Sequence, residues 1–256
     1  MSTLSIDGVD ISYTDQGQGD GLVLVHGFAA SARENWEKAG WISMLTRANR
    51  RVVTVDLRGH GESAKLYDAQ SYRLDLLAAD VVSVVEHLQI KKPDLIGFSL
   101  GARVVLSLLE THSSRFLLGV LCGVGEQLTK SRSEHEQIAL AGAFEARSLE
   151  DAQEGLARQF RQFAEAQGQD LKALAACARG MQHAPQDWNS ERLAKIKNEI
   201  LVVAGSGDEL AGSAIGLARQ FSNAKGKQIP GCGHMDCLTQ PMFKGAVMDF
   251  LAGIPD

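Results

Sequence analysis

A serine with a glycine two residues away on each side is the part of this sequence that points most directly to chemistry. Residues 97–101 match the pattern G-x-S-x-G, with Ser99 at the centre. The apolar residues before this segment predict a buried strand, and those at 102–110 predict a helix after it. Such a sharp turn crowds the backbone, exposes the serine hydroxyl and points a helix N-terminus at any anion formed there. Ser99 is therefore a candidate nucleophile for acyl transfer, the alternative being a glycine-rich turn with an idle serine.

A serine nucleophile needs a base to take its proton and an acid to orient that base. Both follow the serine along the chain in this type of site, the acid first and the histidine second. Among seven histidines, His234 is the best candidate base, because it lies in a glycine-rich loop after a predicted strand at 226–229. The candidate acid is Asp208, in the turn after the apolar run 200–204, with the adjacent Glu209 as the alternative.

Two backbone N–H groups are candidates for stabilising the negative charge that develops during acyl transfer. One belongs to Leu100, directly after the serine, and the other to Phe28, in the loop after a predicted strand at 22–25. His26 opens that loop, and we expect it to hold the loop by side-chain hydrogen bonds rather than to transfer protons. These residues complete a candidate site for hydrolysis of a carboxylic ester.

Taken together and in order, these segments resemble the α/β-hydrolase superfamily. The similar segments are the oxyanion loop 26–28, the D-x-R-G-x-G-x-S segment 56–63, the serine turn 97–101, the acid loop 205–208 and the histidine loop 231–234. The resemblance implies a catalytic triad of Ser99, His234 and Asp208. A serine at the nucleophile position separates the chain from the dehalogenase and epoxide-hydrolase branches, which use aspartate there.

The predicted elements alternate between strands and helices, which indicates an α/β fold with a mostly parallel central sheet flanked by helices, the α/β-hydrolase fold. An opening hairpin is predicted at 4–6 and 9–13, and helices are predicted at 35–47 and 74–88. We assign residues 1–122 and 196–256 to this core.

Residues 123–195 interrupt the alternation and are rich in helix-forming residues, without a strand-like run. This composition predicts a helical cap inserted into the core, which would cover Ser99 and shape a substrate pocket. Its candidate lining residues are Phe144, Phe160, Met181 and Trp188. For each of them, simple packing of the cap onto the core is an equal alternative.

Composition and charge limit the classes of partner. The chain has 256 residues, 45% of them hydrophobic, and a net charge of −5. This length allows one large domain or two small ones, the composition agrees with a single-core enzyme, and the acidic balance disfavours a nucleic-acid partner. The expected partner is a small-molecule ester. The N-terminus lacks the features of a signal peptide, and no apolar stretch approaches the roughly 18 residues of a membrane span. We therefore expect a cytoplasmic protein without a membrane partner.

The cysteines and the remaining histidines carry no assigned chemistry. Cys122, Cys177, Cys232 and Cys237 are expected to be free thiols, with a reversible disulfide between Cys232 and Cys237 as an alternative. A metal is not expected, because nothing near Cys232 and Cys237 completes a four-ligand zinc site. A cofactor is not expected either, because acyl transfer to water through Ser99 needs none. Most of the histidines at 60, 87, 112, 135 and 183 are expected to be solvated.

These observations predict a serine esterase acting on small or medium esters through an acyl-enzyme. A lactonase, a thioesterase, a carbon–carbon bond hydrolase or a cofactor-free perhydrolase would use the same residues. A ligand receptor or signalling protein on a hydrolase scaffold remains a further alternative, because a fold does not fix a function.

Overall fold

The computed structural model describes residues 1–130, 134–152, 154–183 and 188–254, and within these ranges the side chains except those of 134–137 and 182–183. The described chain forms one eight-stranded sheet in the order β1-β2-β4-β3-β5-β6-β7-β8. The strands are β1 (Ser2–Ile6), β2 (Val9–Gln16), β3 (Asp20–Val25), β4 (Arg50–Val55), β5 (Asp94–Phe98), β6 (Leu118–Cys122), β7 (Glu199–Gly205) and β8 (Ala224–Ile229).

The sheet is antiparallel at one edge and parallel elsewhere. Strand β2 pairs antiparallel with β1 and β4, and every other pairing is parallel. The central strands β5 and β6 are buried along their whole length, as expected where helices cover both faces of a parallel sheet. The predicted mostly parallel sheet and the opening hairpin are confirmed.

The α-helices of the described chain flank the sheet or lie between β6 and β7. They are α1 (Trp41–Arg47), α2 (Leu74–His87), α3 (Leu100–Thr111), α4 (Glu134–Glu145), α5 (Leu156–Ala166), α6 (Leu171–His183), α7 (Ser190–Leu193), α8 (Ala214–Ala218) and α9 (Pro241–Leu251). None of them, within the described ranges, is long and apolar enough to cross a membrane.

The prediction of one helix at 35–47 is wrong in one respect, because the structure has two separate helical elements there. A single π-helical stretch covers Arg33–Glu37, and α1 begins only at Trp41. Between them Gly40 has a φ of 76°, in the left-handed region that ends a right-handed helix. The apolar spacing of the two elements runs on through this glycine, so periodicity alone does not locate the break.

Two hydrophobic clusters lie on opposite faces of the sheet. Successive side chains of β3 point to opposite faces, so Val23 and Val25 belong to one cluster and Leu22 and Leu24 to the other. The first cluster joins the sheet to α2, α3 and α8, and the second joins it to α1 and α9. The sheet is thus the middle layer of three.

Helices α4 to α7 lie between β6 and β7, where the cap is predicted. The buried Arg161 of α5 donates hydrogen bonds to the carbonyls of Ala143 (2.8 Å) and Ala146 (2.7 Å), at the end of α4. Helix α6 approaches the core closely, because a Cβ on Gly180 would overlap the carbonyl oxygen of Ala69. The helical segment is therefore held together internally and rests on the turn that precedes α2.

Candidate active site

Ser99 lies on a strained turn between β5 and α3. Its φ of 53° and ψ of −107° fall outside the regions that non-glycine residues favour. A Cβ on Gly97 would overlap the carbonyl of Gly101, and a Cβ on Gly101 would overlap the carbonyl of Val25. The glycines two residues from the serine are therefore required by the crowding that the sequence pattern indicated.

Three polar side chains form a continuous line of hydrogen bonds. The Ser99 hydroxyl lies 3.0 Å from Nε2 of His234, and Nδ1 of His234 lies 2.8 Å from Oδ2 of Asp208. The side chain of His234 is 8% exposed and that of Asp208 is fully buried. Since the carboxylate accepts the proton on Nδ1, Nε2 carries the lone pair that faces the serine hydroxyl. This is the geometry that a serine nucleophile and its base require.

The three residues come from loops at the carboxyl ends of β5, β7 and β8. The two later loops are tied together, because Ser206 N–H donates to the carbonyl of Ile229 (2.7 Å) and Gly207 N–H to that of Cys232 (2.9 Å). Asp208 Oδ1 accepts from the backbone N–H of Ala211 at 3.0 Å, which leaves Oδ2 for the histidine. Glu209 is exposed, so the structure brings Asp208 rather than Glu209 to His234.

The loop after β3 is held by hydrogen bonds to the carbonyl of Gly27. The carbonyl of Gly27 accepts from His26 Nδ1 at 2.8 Å and from Ala30 N–H at 3.3 Å. Phe28 N–H belongs to the same trans peptide unit and points the opposite way from that carbonyl. Leu100 is the first residue of α3, so its N–H has no partner within the helix.

His26 holds this loop in the way that the sequence suggested. Its Nε2 accepts a hydrogen bond from Leu57 N–H at 3.0 Å, which fixes the proton on Nδ1. The ring is fully buried, and burial lowers the pKa of His26 below its ordinary value. The histidine therefore stays neutral and keeps both hydrogen bonds at neutral pH.

Two further residues position this loop and were not found by the sequence reasoning. Asn35 Oδ1 accepts from Gly27 N–H at 2.8 Å. Asp56 accepts from Ala32 N–H (2.7 Å) through Oδ1 and from Glu62 N–H (2.9 Å) through Oδ2. Asp56 belongs to the D-x-R-G-x-G-x-S segment, so that pattern was the available signal, whereas nothing in the sequence marked Asn35.

A cavity of about 100 Å³ opens beside Ser99. Its lining combines apolar groups with a small polar region: Gly27, Phe28, Ala30, Glu34, Asn35, Ala39, Phe98, Ser99, Phe160, Phe163, His234, Met235, Leu238 and Thr239. Phe160 and Phe163 come from α5, so a helix of the segment between β6 and β7 forms part of the wall. Of the four lining residues predicted from the sequence, Phe160 borders this cavity.

The other three predicted lining residues lie elsewhere. Phe144 packs edge-on against the ring of Phe28, with ring centroids 5.4 Å apart. Met181 packs against the core on α6, and the nearly buried Trp188 donates its indole N–H to Glu110 at 3.3 Å. Their positions depend on how the helices pack, which the sequence pattern does not define.

His60 is an exception to the expectation that most of the remaining histidines are solvated. It is fully buried, its ring packs against Phe28 and His26, and its Nδ1 lies 3.0 Å from the carbonyl of Arg58. Burial lowers the pKa of His60 to about 3. His87 is exposed and His112 is partly exposed, while the side chains of the histidines at 135 and 183 lie outside the described residues.

The four cysteines are free thiols and are buried. Burial raises the pKa of Cys122, Cys177, Cys232 and Cys237 above the ordinary thiol value. Cys237 Sγ faces the carbonyl of His234 at 3.5 Å. Within the described ranges, no group of three or more histidine, cysteine or acidic side chains is arranged to hold a metal ion.

Known proteins resemble the chain in sequence and in fold. A sequence model of the alpha/beta hydrolase family matches residues 22–242. A putative non-heme chloroperoxidase from a Synechocystis species is 36% identical over 106 residues, which cover 41% of this chain and 37% of that protein. Four of the curated relatives are matched over only about a fifth to two fifths of their own length.

Two solved structures share the fold over nearly their whole length. An esterase from Exiguobacterium antarcticum has a TM-score of 0.82 at 20% identity and covers 98% of this chain and 99% of its own. The enol-lactonase from Burkholderia xenovorans has a TM-score of 0.80 at 20% identity, with 98% and 100% covered. At this level of identity the likeness concerns the fold alone.

Proposed function

Because the chain belongs to the alpha/beta hydrolase family, we propose that it is a serine hydrolase that cleaves small or medium carboxylic esters through an acyl-enzyme on Ser99. The observation that carries this proposal is the line of contacts from Ser99 through His234 to the buried Asp208, at 3.0 and 2.8 Å. A hydroxyl, an imidazole and a carboxylate in this sequence can activate an oxygen nucleophile at neutral pH.

In the first half of the reaction, Ser99 Oγ attacks the ester carbonyl as its proton passes to His234 Nε2. The carbonyl oxygen becomes an oxyanion, which the N–H groups of Phe28 and Leu100 stabilise. The carbon–oxygen bond to the alcohol then breaks, and His234 returns the proton to the departing alkoxide. The alcohol leaves, and the acyl group remains on Ser99.

In the second half, water replaces the alcohol. His234 takes a proton from the water as its oxygen attacks the acyl carbonyl, and the same N–H groups stabilise the second oxyanion. The bond to Ser99 Oγ breaks, the serine regains its proton from His234, and the acid is released. Asp208 keeps the proton on Nδ1 and stabilises the imidazolium without being protonated.

The proposed reaction needs only a small-molecule ester and water. We propose no cofactor or metal, no nucleic-acid partner and no membrane partner, with the cytoplasm as the compartment. Residues 123–195 would act as the cap over the 1–122 and 196–256 core. The positions of Phe160 and Phe163 in the wall of the cavity that Ser99 lines support this role, because a cap that covers the serine would exclude water.

A cofactor-free perhydrolase is the second candidate. The similarity to a putative non-heme chloroperoxidase favours it, since hydrogen peroxide in place of water would attack the acyl group on Ser99 and release a peracid. Lactonase and carbon–carbon bond hydrolase activities would use the same residues. All of these activities would disappear in Ser99→Ala.

The hydrolysis rates of p-nitrophenyl esters from acetate to dodecanoate test the proposal. We expect turnover of at least about 1 per second, within the usual range of enzymes, on one or two chain lengths. Ser99→Ala should abolish this turnover. Ser83→Ala is the matched control, because its hydroxyl donates to the carbonyl of Ala79 within α2, away from the cavity. Negligible turnover on every ester would contradict an esterase and direct attention to lactones, peracid formation and ligand binding.

A further inference from the structure

One acidic side chain faces the cavity that contains Ser99. Among the described lining residues, Glu34 carries the only carboxylate, and neither a lysine nor an arginine is present. Glu34 lies in the π-helical stretch Arg33–Glu37, and its side chain is 13% exposed. A substrate bound beside the serine therefore meets a fixed acceptor and, among the described lining residues, neither a lysine nor an arginine.

The Glu34 carboxylate is held by two neighbours. Lys38 Nζ lies 2.7 Å from Oε1 of Glu34, and the side-chain amide of Gln167, at the end of α5, lies 2.7 Å from each carboxylate oxygen. The Lys38 side chain is 54% exposed and lies outside the cavity lining. Both contacts therefore fix the carboxylate in the wall, and the lysine compensates part of its charge from the solvent side.

The rest of the wall strengthens the effect of this charge. Phe28, Phe98, Phe160 and Phe163 make much of the lining apolar, and charges interact more strongly where water is excluded. A carboxylate on the substrate would lose its hydration there without gaining a lysine or arginine partner from the described lining, and it would be repelled by Glu34. A hydroxyl or amide N–H would gain an acceptor, since a carboxylate has about four lone-pair sites.

We propose that Glu34 sets the substrate class of this site: esters whose bound chain is uncharged and carries a hydrogen-bond donor are preferred over esters that carry a carboxylate. This inference rests on the proposed ester hydrolysis at Ser99 and specifies its substrate. Because Glu34 would repel their carboxylates, dicarboxylates and keto acids are also disfavoured as substrates in the alternative of a carbon–carbon bond hydrolase.

Two matched series of six-carbon esters test the inference. The acyl series is methyl hexanoate, methyl 6-hydroxyhexanoate and monomethyl adipate; the alcohol series is hexyl acetate, 6-acetoxyhexan-1-ol and 6-acetoxyhexanoate. In the series whose chain occupies the cavity, we expect kcat/KM for the carboxylate to be at least about tenfold below that of the apolar ester and the hydroxyl ester to be the best substrate. A tenfold ratio corresponds to about 1.4 kcal/mol.

Three variants assign the effect to Glu34. Glu34→Gln removes the charge and should bring kcat/KM of the carboxylate ester to within about threefold of that of the apolar ester. Lys38→Met removes the partly compensating cation and should increase the preference in kcat/KM for the apolar ester over the carboxylate ester. Glu37→Gln makes the same charge change one turn away, at an exposed side chain outside the cavity lining, and should leave the ratio unchanged. Equal rates for carboxylate and apolar esters in both series, or equal effects of Glu34→Gln and Glu37→Gln, would overturn the inference.

Binding of the same esters to Ser99→Ala, measured by calorimetry, separates this inference from the proposed reaction. Tighter binding of the hydroxyl ester than of the carboxylate ester, lost in Ser99→Ala/Glu34→Gln, would support the role of Glu34 even if no ester is hydrolysed. Turnover without any such difference in binding or rate would overturn the role of Glu34 and leave the esterase in place.

Discussion

At the scale of single residues, the site depends on which acid holds His234. Asp208 accepts the Nδ1 proton at 2.8 Å and is fully buried, whereas its neighbour Glu209 is exposed. An asparagine at 208 would present a donor or a weaker acceptor and favour the wrong tautomer of the imidazole. We expect Asp208→Asn to reduce kcat on the best p-nitrophenyl ester by about 10,000-fold.

Glu209→Gln is the control for this prediction, because it removes a charge at the next residue without a contact to His234. It should change kcat by less than about threefold. A loss below tenfold in Asp208→Asn, or a larger loss in Glu209→Gln, would assign the acid role to another residue.

At the scale of elements, the turn between β5 and α3 tolerates no added atom at its second glycine. A methyl group on Gly101 would meet the backbone of Val25 and His26, which cannot move without separating β3 from α3. We expect Gly101→Ala to lower the free energy of unfolding by several kcal/mol, as overpacking does, and to abolish turnover. Urea unfolding followed by circular dichroism measures this change.

Gly142→Ala is the matched control, because Gly142 lies exposed in α4 and has no neighbour within 4 Å of an added Cβ. It should raise the free energy of unfolding by about 0.5–1 kcal/mol, since alanine favours a helix more than glycine does. Similar effects of the two alanines would show that the crowding at Gly101 has little energetic weight.

The contact of α2 with the 56–63 segment depends on a buried ion pair. Asp80 accepts two hydrogen bonds of 2.7 Å from Arg58, and the two side chains are 1% and 8% exposed. Removing one partner leaves a buried charge uncompensated, so Asp80→Ala should lower the free energy of unfolding by about 3–5 kcal/mol.

Asp75→Ala on the same helix removes an equivalent but exposed pair with Arg73. Its cost should lie at about 0–1 kcal/mol. Chemical denaturation of both variants at one pH compares the two pairs directly. Equal losses would mean that burial does not distinguish them.

At the scale of the whole molecule, buried neutral histidines couple stability to pH. The pKa of His60 is about 3 in the folded chain because of burial, against an ordinary value of 6.5. Below about pH 6.5 the unfolded chain therefore binds a proton that the folded chain does not, so the free energy of unfolding falls as pH decreases toward 3. The contribution is about 1.4 kcal/mol per pH unit for each such histidine.

Urea unfolding between pH 7 and pH 4.5 measures this slope. His60→Phe should reduce the slope by nearly 1.4 kcal/mol per pH unit, the value for one bound proton. His87→Gln replaces an exposed histidine and should leave the slope unchanged. An unchanged slope in His60→Phe would mean that this ring binds its proton equally in the folded and unfolded chains, against the lowered pKa.

The sequence predicted those parts of the fold that depend on local patterns. Short glycine-bounded motifs led to Ser99, and loops at strand ends led to Asp208 and His234, because parallel strands bring their carboxyl ends to one edge of the sheet. The break at Gly40 was missed because apolar spacing continues through it. The burial of His60 and the positions of Met181 and Trp188 were missed because they depend on contacts between distant segments.

The placement of the tryptophans gives the molecule a built-in optical signal. Trp36 and Trp41 form an edge-to-face pair in the core, with ring centroids 5.7 Å apart, and the Trp41 indole donates to the carbonyl of Leu238 at 2.9 Å, four residues after His234. Trp188 lies instead beside Glu110, just before α7. The emission of a variant with only Trp41 therefore reports the docking of the histidine loop, and that of a variant with only Trp188 reports the attachment of the helical segment to α3.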